Sequence, residues 1–150
     1  MKIIFLCHGN ICRSPMAEYI FKDLVRQQSC EDQFEISSGA VSREEIGNPI
    51  YPPAKRKLSE KGVPFCQHSA HQITNQEFAE MDLVIVMDRS NLRLLSHIIP
   101  ESKGNEKVHL LMEYAGLATD VADPWYTGDF ETTYQDIYTA CVALLDSLKD

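Results

Sequence analysis

The stretch Lys2-Ile3-Ile4-Phe5-Leu6-Cys7-His8-Gly9-Asn10-Ile11-Cys12-Arg13-Ser14-Pro15 decides the fold of this 150-residue chain. Lys2 to Cys7 reads as an almost continuous apolar strand, the kind that fills the middle of a parallel sheet covered on both faces. Beyond it, Pro15 suits the first position of a helix, where a missing N–H costs nothing. Met16, Ile20, Phe21, Leu24 and Val25 then recur at helical spacing. Cys7 to Ser14 therefore joins the carboxyl end of a buried strand to the start of a helix.

Outward from that unit, Phe34 to Ser38 predicts a second strand, and residues 40–53 a loop containing Gly and Pro. Residues 54–61 predict a helix closed by Gly62. Leu83 to Met87 is the clearest strand, with Ser90 as the cap of the helix after it. Val108 to Leu111 predicts a fourth strand, and residues 116–130 a long loop. In the last helix Tyr134, Ile137, Tyr138, Cys141, Leu145 and Leu148 form one stripe. Strands alternating with helices imply an α/β fold with a parallel sheet. No repeat or composition break divides the chain, so residues 1–150 form one domain. Ligands in such folds bind at the carboxyl ends of strands, and Cys7 ends the first.

Composition narrows the function. A net charge of -8 argues against wholesale binding to nucleic acid or to an acidic membrane. No segment is long and apolar enough to span a membrane. The apolar run at the start is too short for a signal peptide and no small-residue cleavage site follows. Five cysteines, an odd number, with Cys7 and Cys12 beside Arg13, point to thiol chemistry in a reducing cytoplasm rather than a disulfide scaffold.

The loop carries the chemistry. Backbone N–H groups of residues 8–14, turned inward at a helix N-terminus, make an anion site. Gly9 permits a tight, unusual backbone and Asn10 tolerates a left-handed one. Arg13 offers a planar fork for two phosphate oxygens. The same groups favour the Cys7 thiolate, and the Ser14 hydroxyl can donate to its sulfur. A thiolate beside a bound phosphate is poised for in-line attack, giving a phosphocysteine. The plainer reading, a buried cysteine that merely ends a strand, leaves the Cys-x5-Arg-Ser-Pro spacing unexplained.

With that spacing, the loop and the chain length resemble the low-molecular-weight protein tyrosine phosphatase family. Its motif after the first strand matches Cys7, Arg13 and Ser14. The resemblance implies a four-stranded parallel sheet in the order 2-1-3-4 with helices on both faces. It implies neither metal nor cofactor, a phosphotyrosine-containing protein as partner, and a two-step reaction through phosphocysteine. Inorganic phosphate or vanadate would occupy the loop.

Such a reaction needs an acid for the leaving group and a base for water, and one carboxyl group can serve both. Asp123-Pro124-Trp125-Tyr126 matches the family's acid-bearing stretch, which puts the acid at Asp123. Asp120 and Asp129 are nearby but lack the following proline. By resemblance, Asn10, Ser14 and His68 form a network that holds the loop, and His71 falls where a basic residue is common. Asp88 matches a position from which a carboxylate can orient Arg13; its plainer reading is a helix-start aspartate. The His8 side chain is expected to point away while its backbone serves. His97 and His109 are read as ordinary structural residues.

Phosphotyrosine selectivity needs flat apolar walls. Ile11, Trp125 and Tyr126 are the candidates. In the family an aromatic often follows the second strand, but here Glu44 takes that place, and Tyr51 is the expected substitute wall. A carboxylate at the rim would favour basic peptides. Cys12 lies close enough in the loop to pair with Cys7 on oxidation, or else is a small packing residue. Cys30, Cys66 and Cys141 are read as packing residues.

Rival readings are a thiol-dependent arsenate reductase, a phosphoarginine phosphatase and a non-catalytic phosphate-binding module. The first would need further relay cysteines, and residues 77–99 hold none. The second, by resemblance, tends to carry threonine where this chain has Ile11. A zinc site from Cys7, His8 and Cys12 has poor ligand spacing.

Overall fold

The computed structural model describes residues 1–149. Four parallel strands form one sheet in the order β2-β1-β3-β4. They are β1 (Lys2–Cys7), β2 (Glu35–Ala40), β3 (Leu83–Val86) and β4 (Val108–Leu110). The helices are α1 (Arg13–Gln27), α2 (Pro52–Glu60), α3 (Asn75–Glu80), α4 (Arg89–Ile98), α5 (Pro124–Thr127) and α6 (Phe130–Leu148). Alternation along β1 explains its unbroken apolar run. Ile3, Phe5 and Cys7 face a core built with α1, α2 and α6. Ile4 and Leu6 face the opposite core, with Phe78 of α3 and Leu95 of α4. A strand buried on both faces has no polar side to show, so its sequence does not alternate. Phe5 is fully buried and meets Phe21 edge-on at 5.8 Å between centroids. Truncating it to alanine costs about 3–5 kcal/mol, the usual loss for a core phenylalanine.

β1 and β3 are neighbours, pairing Leu6 with Val86. The chain crosses from β1 to β2 on one side and returns to β3 on the other. Cys7 therefore ends β1 at the point where the strand order reverses, with the end of β3 beside it. No helix among the described residues is long and apolar enough to cross a membrane.

Several local expectations shift. α1 starts at Arg13, so Pro15 is its third residue rather than its first. The helix after β3 starts two residues earlier than expected and is capped by Asp88, not Ser90. Gly62 does close α2, in the left-handed conformation. The second strand begins at Glu35 and leaves Phe34 outside it, and β4 stops at Leu110. On α6, Ala140 and Leu144 belong to the buried face while Tyr138 is exposed. α3 was hidden in sequence by its short length; its cap is reciprocal, with Thr74 accepting from the Glu77 N–H and Glu77 accepting from the Thr74 N–H. The expected loop 116–130 contains the single turn α5, and α6 starts within it at Phe130.

Candidate active site

The loop from His8 to Cys12 wraps around the Cys7 sulfur. The Asn10 and Ser14 backbone N–H groups point at Sγ from 3.3 and 3.4 Å, and the Ser14 hydroxyl lies 3.1 Å away. Asn10 holds the left-handed conformation that turns its N–H inward, with φ 62. Cys12 at the N-cap of α1 offers no side-chain cap, so N–H groups at the helix start remain for an anion. Gly9 has a different reason from the one expected. Its φ is not positive; instead a Cβ there would stand 3.1 Å from Glu45 Cγ. The glycine lets the segment that carries Glu45 press against the Cys7 loop.

Directed hydrogen bonds fix the loop from behind. The Asn10 amide donates to Ser14 Oγ at 2.8 Å and Ser38 Oγ at 3.0 Å, while its Oδ1 accepts from the His71 N–H at 3.2 Å. Ser38 in turn donates to Glu18 Oε1 at 2.6 Å, and Lys22 neutralises the same carboxylate. Ser14 Oγ accepts from Asn10, which leaves its own proton for the Cys7 sulfur at 3.1 Å or the Gly39 carbonyl at 3.3 Å. His68 reaches the Asn10 carbonyl oxygen at 2.7 Å. His71 serves through its backbone, and its ring pairs with Glu77 at 2.8 Å. That hydrogen bond outweighs burial and raises the His71 pKa above its ordinary value. Glu18 and Ser38 escaped sequence reading; a carboxylate one turn beyond Ser14 on a helix that is otherwise apolar there was the available signal.

Arg13 is 2 % exposed and spends three donors on protein. Nη1 donates to Asp88 Oδ2 at 2.7 Å and the Val121 carbonyl at 2.8 Å, and Nη2 to Asp123 Oδ2 at 3.4 Å. Guanidinium has five N–H groups, so two remain for a ligand. Burial opposes the charge, but Cys7, Asp123 and Asp88 around it prevail and hold the pKa above its ordinary value. Burial pushes the Cys12 thiol strongly up, with the neighbouring Cys7 and Asp123 adding to it.

Asp123 caps α5, with Oδ1 accepting from the Trp125 N–H at 3.1 Å, and it lines the same cavity as Cys7. The rival aspartates lie elsewhere: Asp120 pairs with Arg89 and Asp129 caps α6. The cavity measures about 380 Å³. Ile11, Trp125 and Tyr126 line it. Tyr51 does not; it packs behind Trp125, with centroids 4.8 Å apart, and against Phe130. It braces a wall rather than forming one. The His8 ring turns to Glu44 at the cavity mouth. Glu45, not singled out from sequence, lines the mouth beside it. Among the described residues, no group of three or more His, Cys, Asp or Glu is placed to hold a metal ion.

Comparison with known proteins gives the same constellation a lineage. The family model for low molecular weight phosphotyrosine protein phosphatase matches residues 2–150. The human protein of that name is 38% identical over 148 residues, covering 96% of this chain and 93% of the relative. The Bacillus subtilis low molecular weight protein-tyrosine-phosphatase YfkJ is 36% identical over 99% of this chain and 96% of its own. Its crystal structure superposes with a TM-score of 0.93, at 35% identity over 99% of this chain and 94% of that one. The Drosophila arginine phosphatase DARP, at 29% identity over 100% of this chain and 99% of that one, gives 0.88. On sequence and structure alike, this chain belongs to the low molecular weight phosphotyrosine protein phosphatase family.

Proposed function

We propose that the protein hydrolyses phosphotyrosine in proteins through a phosphocysteine intermediate on Cys7. The observation that carries this reading is that the Cys7 sulfur, the Arg13 guanidinium and the Asp123 carboxylate face one cavity. In the first step the phosphate dianion sits in the loop, held by Arg13 and by inward N–H groups. Cys7 Sγ attacks phosphorus as the P–O bond to the tyrosine breaks, and Asp123 gives its proton to the leaving oxygen. In the second step the Asp123 carboxylate takes a proton from water as the water attacks phosphorus. The S–P bond breaks, the sulfur leaves as thiolate, and inorganic phosphate is released. Ser14 and the Asn10 and Ser14 N–H groups stabilise that sulfur both when it attacks and when it leaves. Five free cysteines suit work in a reducing cytoplasm.

Phosphoarginine is the second reading, since DARP is an arginine phosphatase of this fold. Ile11 favours tyrosine, because it presents an apolar surface to the substrate side of the cavity. Steady-state rates on phosphotyrosine, phosphoserine and phosphoarginine peptides decide, with Cys7→Ser as control. Preference for phosphotyrosine and an inactive Cys7→Ser are expected. Faster turnover of phosphoarginine, or activity without Cys7, overturns the reading.

A further inference from the structure

The stretch before Asp123 is tied down from three sides. From α4, Arg89 Nη2 donates to the Ala118 carbonyl at 2.5 Å, and both its backbone N–H and Nη1 donate to Asp120 Oδ1, at 3.2 and 3.3 Å. From the sheet, the Val121 N–H donates to the Met87 carbonyl at 2.9 Å while its own carbonyl accepts from Arg13. From α6, the Thr133 hydroxyl donates to the Ala122 carbonyl at 3.1 Å. Ala122 is the residue immediately before the acid.

Thr133 is the informative member. It is fully buried, where valine would fill the same volume without a polar atom. A helical threonine ordinarily returns its proton to a carbonyl one turn back in its own helix. Here the proton goes across to the loop. We propose that Thr133, with Arg89 as a weaker outer clamp, is a positioning residue that sets the reach of Asp123 toward the leaving oxygen. The inference rests on Asp123 being the general acid. The Asp123 carboxylate accepts from the Trp125 N–H at 3.1 Å and from Arg13 Nη2 at a longer 3.4 Å, and its carbonyl accepts from the Tyr126 and Thr127 N–H groups of the same turn; that turn enters the site through Ala122, so where Ala122 is held sets the height and angle of the carboxylate. Arg89 is about half exposed and salt-screened, so its share is smaller.

The clamp predicts a signature that lost packing would not give. Protonation matters for phenyl phosphate, whose leaving group needs a proton, and hardly for p-nitrophenyl phosphate, whose phenolate leaves unaided. The readout is kcat/KM, which covers the steps up to departure of the alcohol. Thr133→Val should lower it about tenfold for phenyl phosphate, a part of the full general-acid effect, and less than about twofold for p-nitrophenyl phosphate. Thr133→Ser, which keeps the hydroxyl, should restore the wild-type ratio, and Arg89→Lys should exceed Arg89→Met on the poor substrate. Vanadate affinity should stay unchanged in all four. Equal losses on the two substrates, or none, in Thr133→Val overturn the positioning role. So does a ratio in Thr133→Ser that follows valine. Asp123→Asn calibrates the assay with a larger version of the same imbalance. If it treats both substrates alike, the acid assignment fails first and takes the clamp with it.

Discussion

Asp88 holds Arg13 with one carboxylate oxygen and caps α4 with the other: Oδ2 accepts from Arg13 Nη1 and Oδ1 from the Asn91 N–H, both at 2.7 Å. The two duties can be separated. Asparagine keeps the cap but not the charge, whereas alanine loses both. Asp88→Asn should weaken phosphate and vanadate binding about tenfold while thermal stability changes little. Asp88→Ala should add about 1 kcal/mol of destabilisation from the lost cap. Vanadate inhibition and denaturant unfolding of the pair check this; equal stability losses would show that the cap contributes nothing.

The Glu18–Ser38–Asn10–Ser14 chain predicts action at a distance. Ser38→Ala removes an acceptor from the Asn10 amide and a donor from Glu18. Leaving buried polar groups short of partners costs about 1–3 kcal/mol. The Asn10 amide that donates to Ser14 also loses its second anchor, which loosens the loop behind Cys7, so turnover should fall several-fold with little change in KM. Unfolding curves and steady-state kinetics measure the two effects independently.

Glu44 and Glu45 put carboxylates at the mouth of the cavity that Cys7 and Arg13 line. Glu44→Lys should shift preference from phosphopeptides with basic flanks toward those with acidic flanks, by a few-fold at low salt and less at high salt. An unchanged ratio of kcat/KM for the two peptide types would remove Glu44 from specificity.

Cys12 lines the cavity with Cys7, and its own thiol is held protonated. If Cys12 resolves a Cys7 sulfenic acid, its sulfur displaces the hydroxyl as water and closes a disulfide. Peroxide inactivation should be reversed by thiols in the wild type and largely irreversible in Cys12→Ser. Recovery by both proteins alike would dismiss the pair.

His71 and Glu77 make stability depend on pH. Folding raises the His71 pKa above 6.5, so its contribution is complete below that value and fades as pH climbs through the folded pKa. Burial pushes Glu77 up, but the His71 hydrogen bond prevails and lowers it below 4.5, so its contribution is complete above that value and fades in acid. The pair therefore stabilises fully between about pH 4.5 and 6.5 and less on either side. The His71 ring is 44% exposed, so solvent screening limits the gain to about 0.5 kcal/mol. Chemical denaturation of wild type and His71→Gln across pH 4 to 9 should show the difference shrinking toward alkaline pH.

Local signals carried most of the fold. β1 and β3 were legible because strands buried on both faces are apolar throughout, and α1 because its periodicity is long. Caps were less so: Asp88 and Ser90 are both good cap residues, and only the tertiary pull of Arg13 shows why the first one wins. Cys7, Arg13 and Asp123 stood out because their spacing and flanking prolines follow from the chemistry. Tyr51 and Glu18 did not, since whether an aromatic lines a cavity or braces it, and whether a carboxylate on a helix is buried, depends on elements far away in sequence.

The sheet order has a bearing on how the enzyme comes into being. The cradle around Cys7 draws on β1 and α1, neighbours in the chain. Asp123 reaches it only when Arg13 meets residues 108 and 110 positions further on. Contacts that distant are slow to form, since each closes a long loop. Recovery of turnover after dilution from denaturant is thus a clock for the last long-range docking.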